Sequence, residues 1–380
     1  MKKVLSLAVL MTILVSTASM ADNAYSMPTL SNNSKSDEDP YRRGCLLYVQ
    51  GDTVNAAKCF EKSAKAGNTE GIYMYGLFKM GGFGGVKVNE KAGLRMVHKA
   101  AENGVTNALY FFGEICETGE YGCPKDKSVA LDYYRKASQA GSFEGHVACG
   151  NSYWDNGDTI MAIKYWSKAV EETTPYSAQD EQRDALAQIS YNLGWFCQYG
   201  IQQDIYEAID YYQQSILYGN TKDAAFQLGL ICLDGANGSE PDMKTAVYYF
   251  KIAAASGHPE ACVYVGDILR MSDSEEQALL YYLEGAKSGN QNAMCSLAEL
   301  YYEREEYESA VYWASQCPDN VSAVFLLGCI CYMQQDFDMA KYYWQQCVLR
   351  FHYADAITML KCLDSGEFEW DGINKGLVDI

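Results

Sequence analysis

The chain has 380 residues, with 30 basic against 49 acidic side chains, a formal net charge of −19 and 48% hydrophobic residues. A surface that acidic repels phosphate backbones and anionic lipid head groups, which argues against nucleic acid as a partner. It permits basic protein segments, and it equally serves to keep a long exposed surface soluble.

Lys2 and Lys3, the apolar run Val4 to Val15 and the small-x-small step Ser19-Met20-Ala21 read as a secretory signal peptide over residues 1–21. The apolar run is too short to span a bilayer, and no later run of 18 apolar residues suggests membrane insertion. No Cys lies just after the cleavage site, so no lipid anchor is expected. The short basic start looks bacterial and places the product in the periplasm or outside the cell. Removing the two lysines leaves 28 basic against 49 acidic groups, or −21. Residues 22–40 are rich in Ser, Asn and Asp and are expected to form a disordered leader.

From Tyr41 onward one pattern returns about nine times: a small-residue turn, a helix with Gly near its middle, a loop, then a second helix opening on Ala and carrying paired aromatics. The mid-helix residues are Gly76, Gly113, Gly150, Gly194, Gly229, Gly266 and Gly328, with Ala298 in the eighth unit. Ala57, Ala92, Ala130, Ala162, Ala208, Ala246, Ala278, Ala310 and Ala340 open the second helices. Seven residues later stand Ala64, Lys99, Ala137, Ala169, Ser215, Ala253, Gly285, Cys317 and Cys347, of which only Lys99 is large. Small side chains two turns apart on one face let a neighbouring backbone approach closely. The period predicts a stacked helical array rather than a globular enzyme core. The stretch from Glu171 to Asp184 breaks the period and reads as a loop feeding a lengthened first helix. Ala354 to Leu363 reads as a closing helix, and residues 364–380 as a tail or cap.

The segment from Asn107 to Phe143, NALYFFGEICETGEYGCPKDKSVALDYYRKASQAGSF, carries the fullest motif: FG, Cys three positions on, a Gly-containing loop, a K-D step, A-x-x-Y-Y-x-K-A and a closing A-G. This resembles the Sel-1-like repeat, a relative of the tetratricopeptide repeat, and the resemblance covers residues 41–363. It implies an all-α fold, a right-handed α/α superhelix of about nine helix-turn-helix units, and a protein-binding role. Units four, eight and nine have shorter connections and are more similar to tetratricopeptide units.

Some Sel-1-like proteins are cysteine-rich and bridge the two helices of each unit, and this chain has 14 Cys. Such members carry a regular Cys pair in every unit, which this chain lacks. Cys116, Cys197, Cys232 and Cys331 stand three residues after the mid-helix Gly instead. Equivalent positions in stacked units lie about 9 to 10 Å apart, and a disulfide needs Cα atoms within roughly 7 Å, so Cys197 is not expected to bond Cys232. Most of the cysteines read as small buried fillers. Cys45 with Cys59, across the helices of unit one, is the first candidate pair; Cys116 with Cys123 is the second, because Cys123 lies in a loop that can fold back.

No metal site is expected. His98, His146, His258 and His352 are scattered, and Cys329 and Cys331 point about 200° apart on a helix. No cofactor is expected either, since Gly81 to Val86 reads as an ordinary inter-helix loop. Cysteine-rich relatives have been linked to β-lactam binding and hydrolysis, but S-x-x-K and G-x-S-x-G are both missing from this sequence, so no catalytic residue is assigned.

The first helices are expected to line the concave face of the array. A turn of 100° per residue places Met74, Phe111, Asn192, Gln227 and Tyr264, then Glu114, Asn151, Trp195 and Asp267, on the side opposite the buried Gly stripe. Aromatics and a Met among amides and acids suit recognition of a protein or peptide partner, and the acidic charge permits a basic one. Met74, Phe111 and Trp195 equally suit a reach into the next unit's core. The sequence therefore points to a non-catalytic interaction scaffold of the bacterial envelope or secreted, with a cysteine-rich-type β-lactam-active protein or a secreted host-directed binder as alternatives.

Overall fold

The computed structural model describes residues 39–173, 180–200 and 203–365. The expected signal peptide, nearly all of the expected leader and residues 366–380 of the expected tail lie outside the described residues. All regular structure among the described residues is helical. The chain divides into two compact units, Met1–Ala178 and Gln179–Ile380.

Unit one contains four helix pairs: α1 (Pro40–Val49) with α2 (Thr53–Lys65), α3 (Thr69–Gly81) with α4 (Glu90–Glu102), α5 (Thr106–Thr118) with α6 (Lys127–Gln139), and α7 (Phe143–Asp155) with α8 (Thr159–Glu171). Unit two contains five: α9 (Asp180–Tyr199) with α10 (Ile205–Tyr218), α11 (Thr221–Asp234) with α12 (Met243–Ala255), α13 (Ala261–Met271) with α14 (Glu275–Lys287), α15 (Gln291–Glu303) with α16 (Tyr307–Ala314), and α17 (Val321–Met333) with α18 (Phe337–Phe351). A last helix, α19 (Ala354–Ser365), covers the end of α18. At 20 residues α9 is the lengthened first helix. Below, the odd helices α1 to α17 are called A and the even ones B.

Short polar residues start the helices. Asp52, Asp126, Asp158, Asp204, Asp242 and Asp336 each accept backbone N–H groups at the first turn of a B helix. That satisfies donors with no partner inside the helix. Between α3 and α4 the Gly-rich stretch forms a single 3-10 turn, Phe83–Gly85, in which Gly84 has φ 59° and lies against the Thr53 carbonyl. Only glycine fits there.

Each pair is locked by one contact. A buried ring on the B helix lies against the mid-helix glycine of the A helix: Phe60 on Gly44, Tyr134 on Gly113, Trp166 on Gly150, Tyr212 on Gly194, Phe250 on Gly229, Tyr282 on Gly266 and Trp344 on Gly328. A small residue sits four positions before each ring and another three positions after, giving a fully or almost fully buried stripe such as Ala130, Tyr134, Ala137. The eighth pair lacks both halves of the contact, with buried Ala298 facing the Ala310 and Ala314 stripe. In the second pair Gly76 meets Gly93 backbone and Val97.

The stripe corrects the sequence register in two units. In α4 the buried small residues are Gly93 and Ala100, with Ala92 half-buried and Lys99 exposed, which removes the Lys99 exception. In α2 they are Ala56 and Ser63, with Phe60 between them and Ala64 only half-buried. The shift in α2 also moves Cys59 to the edge of the buried face. Cys45 and Cys59 are both half-buried and are not joined by a disulfide in this structure, in contrast to the pairing expected first.

Successive pairs stack through the B helix of one and the A helix of the next in each unit. In unit two α15 also touches both α13 and α17 directly, which puts the A helices on the compressed side. On the outer side, the position two after the opening Ala holds exposed Tyr248, Leu280, Tyr312 and Tyr342 in successive B helices.

A Cβ added at Gly113 would lie 2.6 Å from Tyr134 Cε1. Gly113→Ala is therefore expected to lower stability by about 1 to 3 kcal/mol in urea unfolding, the usual range for overpacking. Ala298→Gly, with no ring to admit, should cost only about 1 kcal/mol, the helix-propensity difference.

Candidate functional site

The expected recognition residues fall into four groups. Met74 and Phe111 are 2% and 5% exposed, so neither is offered to a partner. The turn of helix that was expected to face outward is covered by the neighbouring pair, and both side chains are core. Tyr264 is half-buried, its ring stacked 4.9 Å from Phe250 and meeting Phe226 edge-on at 5.3 Å. Trp195 is 44% exposed and is the large apolar residue of the set that faces water.

The polar members are largely occupied by their own chain. Glu114 accepts from the Tyr110 hydroxyl at 2.8 Å, Asn151 from the Trp166 indole N–H at 3.1 Å, and Asp267 from the Tyr282 hydroxyl at 2.6 Å. Gln227 accepts from Tyr199 at 3.3 Å, and Asn192 from Gln188 at 3.0 Å. At Asn151 and Asp267, one residue after the glycine, the acceptor meets the polar tip of the ring packed on that glycine. Glu117 and Gln198, four residues after it, do the same for Tyr134 and Tyr212, each at 2.7 Å.

Two residues absent from the expected set belong to the A-helix face. Tyr199 lies one turn from Trp195 on α9, 49% exposed, with ring centroids 5.6 Å apart. An i, i+4 count from Trp195 reaches it. Glu299 occupies the position after Ala298, which takes the place of the mid-helix glycine in that repeat, so the same one-after count reaches it. Burial pushes the Glu299 carboxyl up to about 7, reinforced by Glu303 and Asp267 and opposed by Arg270, which itself pairs with Glu303. Burial likewise raises Glu114 to about 7, with Glu117, Glu120 and Glu144 adding like charge against the Tyr110 hydrogen bond. Asp267 is raised too, chiefly by burial. Each unit thus carries carboxylates on its A helices that are held in incompletely solvated surroundings.

One cluster has the look of catalytic machinery. His146 Nδ1 lies 2.8 Å from Ser138 Oγ, and Nε2 lies 2.9 Å from Glu172. Ser138 is 3% and His146 1% exposed, so the hydroxyl is not presented to a substrate. The trio ties α6, α7 and α8 together. Among the described residues no group of three or more His, Cys, Asp or Glu is placed to hold a metal, and no helix is long and apolar enough to cross a membrane.

Helix pairs locked by a ring-on-glycine contact and stacked B to A define a helical-repeat solenoid of the tetratricopeptide-like class. The repeats match the Sel1 repeat at residues 44–68, 69–105, 106–142, 156–173, 190–217 and 222–258, and the chain belongs to the Sel1-repeat family. Sel1-repeat proteins generally mediate protein–protein interaction and are typically non-catalytic. An uncharacterised protein of Neisseria meningitidis serogroup B is 24% identical over 319 residues, which is 81% of this chain and 64% of that protein. Chitin synthase regulatory factor 4 of Schizosaccharomyces pombe is 33% identical over 75 residues, 20% of this chain and 12% of its own. The chain thus spans less than two thirds of either relative. Among solved structures, a Sel1 repeat protein from Oxalobacter formigenes is similar with TM-score 0.55 and 18% identity, covering 90% of this chain and 99% of that one. The protective antigen c5321 of uropathogenic Escherichia coli, described as displaying an SLR fold, gives TM-score 0.54 at 21% identity, covering 86% and 79%. At these identities the likeness is one of fold.

The raised carboxyls set a pH dependence. A carboxyl whose folded value exceeds its unfolded 4.5 stabilises the fold fully below pH 4.5, and that stabilisation is lost as pH rises through about 7. Glu114→Gln and Glu299→Gln keep the shape without the charge. Each is expected to raise stability at pH 8 by on the order of 2 kcal/mol, and to flatten the stability profile between pH 5 and 8. Thermal melts across that range check both.

Proposed function

We propose that this chain is a non-catalytic interaction scaffold, exported to the bacterial envelope or beyond, that holds a basic segment of a protein partner along the A-helix face. The observation that carries this reading is the exposed pair Trp195 and Tyr199 on the first A helix of unit two. An aromatic pair with amide neighbours, Asn192 and Gln227, is the composition of an interface anchor rather than a solubility coat. A net charge of −19 and the carboxylates Asp267 and Glu299 on the A helices of unit two favour a cationic partner. Export rests on the basic and apolar N-terminal residues, and absence of catalysis on the sealed Ser138 and the missing nucleophile motifs.

Partner capture by the purified chain, with Trp195→Ala plus Tyr199→Ala as the test variant, checks the reading. The double variant is expected to weaken capture roughly ten-fold or more, as loss of an aromatic anchor does. Exposed Ile160→Ser on a B helix should leave capture unchanged. Affinity should fall as salt is raised from 50 to 500 mM, since charge attraction is screened. Undiminished capture by the double variant, or turnover of a chromogenic β-lactam by the wild type, would overturn the reading.

A further inference from the structure

Repeat three holds a pair of thiols that the ring-on-glycine packing does not require. Cys116 lies on α5 three residues after Gly113 and is 3% exposed; Cys123 is half-buried and follows the 3-10 turn Glu120–Gly122. Their sulfur atoms are 3.8 Å apart. The loop that brings them together is fixed by its own backbone. Helix α5 ends on Gly119 at φ 77°, and Tyr121 takes a left-handed φ of 54°. The Cys123 N–H then donates to the Glu120 carbonyl at 3.0 Å, and the Asp126 N–H donates to the Cys116 carbonyl at 2.8 Å. The sulfurs are therefore neighbours because the loop is hydrogen-bonded back onto the helix end. In repeat six the same helix position holds Cys232, but Ser239 follows the corresponding turn, so no second thiol faces it.

We propose that Cys116 and Cys123 form a modification site, oxidised to an intramolecular disulfide by exchange with a low-molecular-weight or protein disulfide. Cys123, the more accessible sulfur, loses its proton to solvent and attacks one sulfur of the oxidant. The oxidant S–S bond breaks, one of its sulfurs leaves and is protonated to a thiol, and a mixed disulfide forms at Cys123. Cys116 then gives up its proton and attacks the Cys123 sulfur, releasing the second oxidant sulfur as a thiol. The two protein thiols are oxidised and the oxidant disulfide is reduced to two thiols. Burial pushes the Cys116 thiol up to about 12, aided by contact with Cys123, which suits it to the second step and not the first. The bond joins the loop that carries Glu120 to the helix that carries Glu114 and Glu117, so oxidation fixes that acidic group in one arrangement. The bridge links a helix to its own connecting loop, and it is independent of the partner reading above.

The test uses the full chain, first reduced and then exposed to oxidised glutathione, with free thiols alkylated after unfolding. Residues 100–125 form one tryptic peptide containing both cysteines. Its alkylation is expected to fall roughly ten-fold on oxidation, with the peptide two hydrogens lighter and its halves still joined after cleavage at Glu117 or Glu120. In Cys116→Ser, Cys123 should retain one glutathione as a stable mixed disulfide. In Cys123→Ser, the buried Cys116 should acquire none under the same conditions. Full alkylation of the oxidised wild-type peptide, a bridge from either cysteine to another residue, or equal glutathione uptake by the two variants would overturn the assignment.

Discussion

The structure depends on a ring lying where a side chain is missing. An A helix that has glycine at mid-length presents bare backbone there, and the B helix fills that space with Phe, Tyr or Trp. Small residues on either side of the ring bring the two helix axes close, so a large buried area is obtained from a short helix pair. Where the ring is lost, the crossing is filled in another way. The eighth pair replaces both the glycine and the ring with Ala, and the second replaces the ring with Val97 and adds a facing Gly93. The constraint is thus on summed volume at the crossing, not on any one residue type.

The rings are mostly amphipathic, and their polar tips shape the surface. A buried Tyr or Trp needs a partner for its O–H or N–H. The A helix supplies it one residue after the glycine, at Asn151 and Asp267, or four after, at Glu117 and Gln198. Acceptors placed for this internal purpose lie on the A-helix face, where they become part of what a partner meets. Burial raises the Asp267 carboxyl among these acceptors, and Glu114 and Glu299 elsewhere on A helices, so packing also sets the charge response of the A-helix surface.

Fold class was legible in the sequence because repetition leaves little freedom: about nine helix pairs, seven of them with a small-ring-small spacing, admit one architecture. The register was legible only to within a residue. Ala92 and Gly93 are adjacent and both small, and only the packing selects Gly93 as the buried one. The candidate face was less legible still. Position relative to the glycine placed Met74, Phe111 and Trp195 together, yet the first two are core and the third is exposed.

The amino-acid sequence by itself determined the helix pairs, their caps and the ring that closes most crossings, because those follow from local spacing and side-chain volume. Tertiary structure alone decided which side chains on the opposite stripe reach water. It also decided that Glu114, Asn151 and Asp267 serve their own tyrosines and tryptophan, and that the Cys116 and Cys123 sulfurs meet while Cys45 and Cys59 are not bonded to each other. Exposure and hydrogen-bond partnership depend on what the neighbouring helix or loop places opposite a residue, and that is fixed by packing in space rather than by position along the chain.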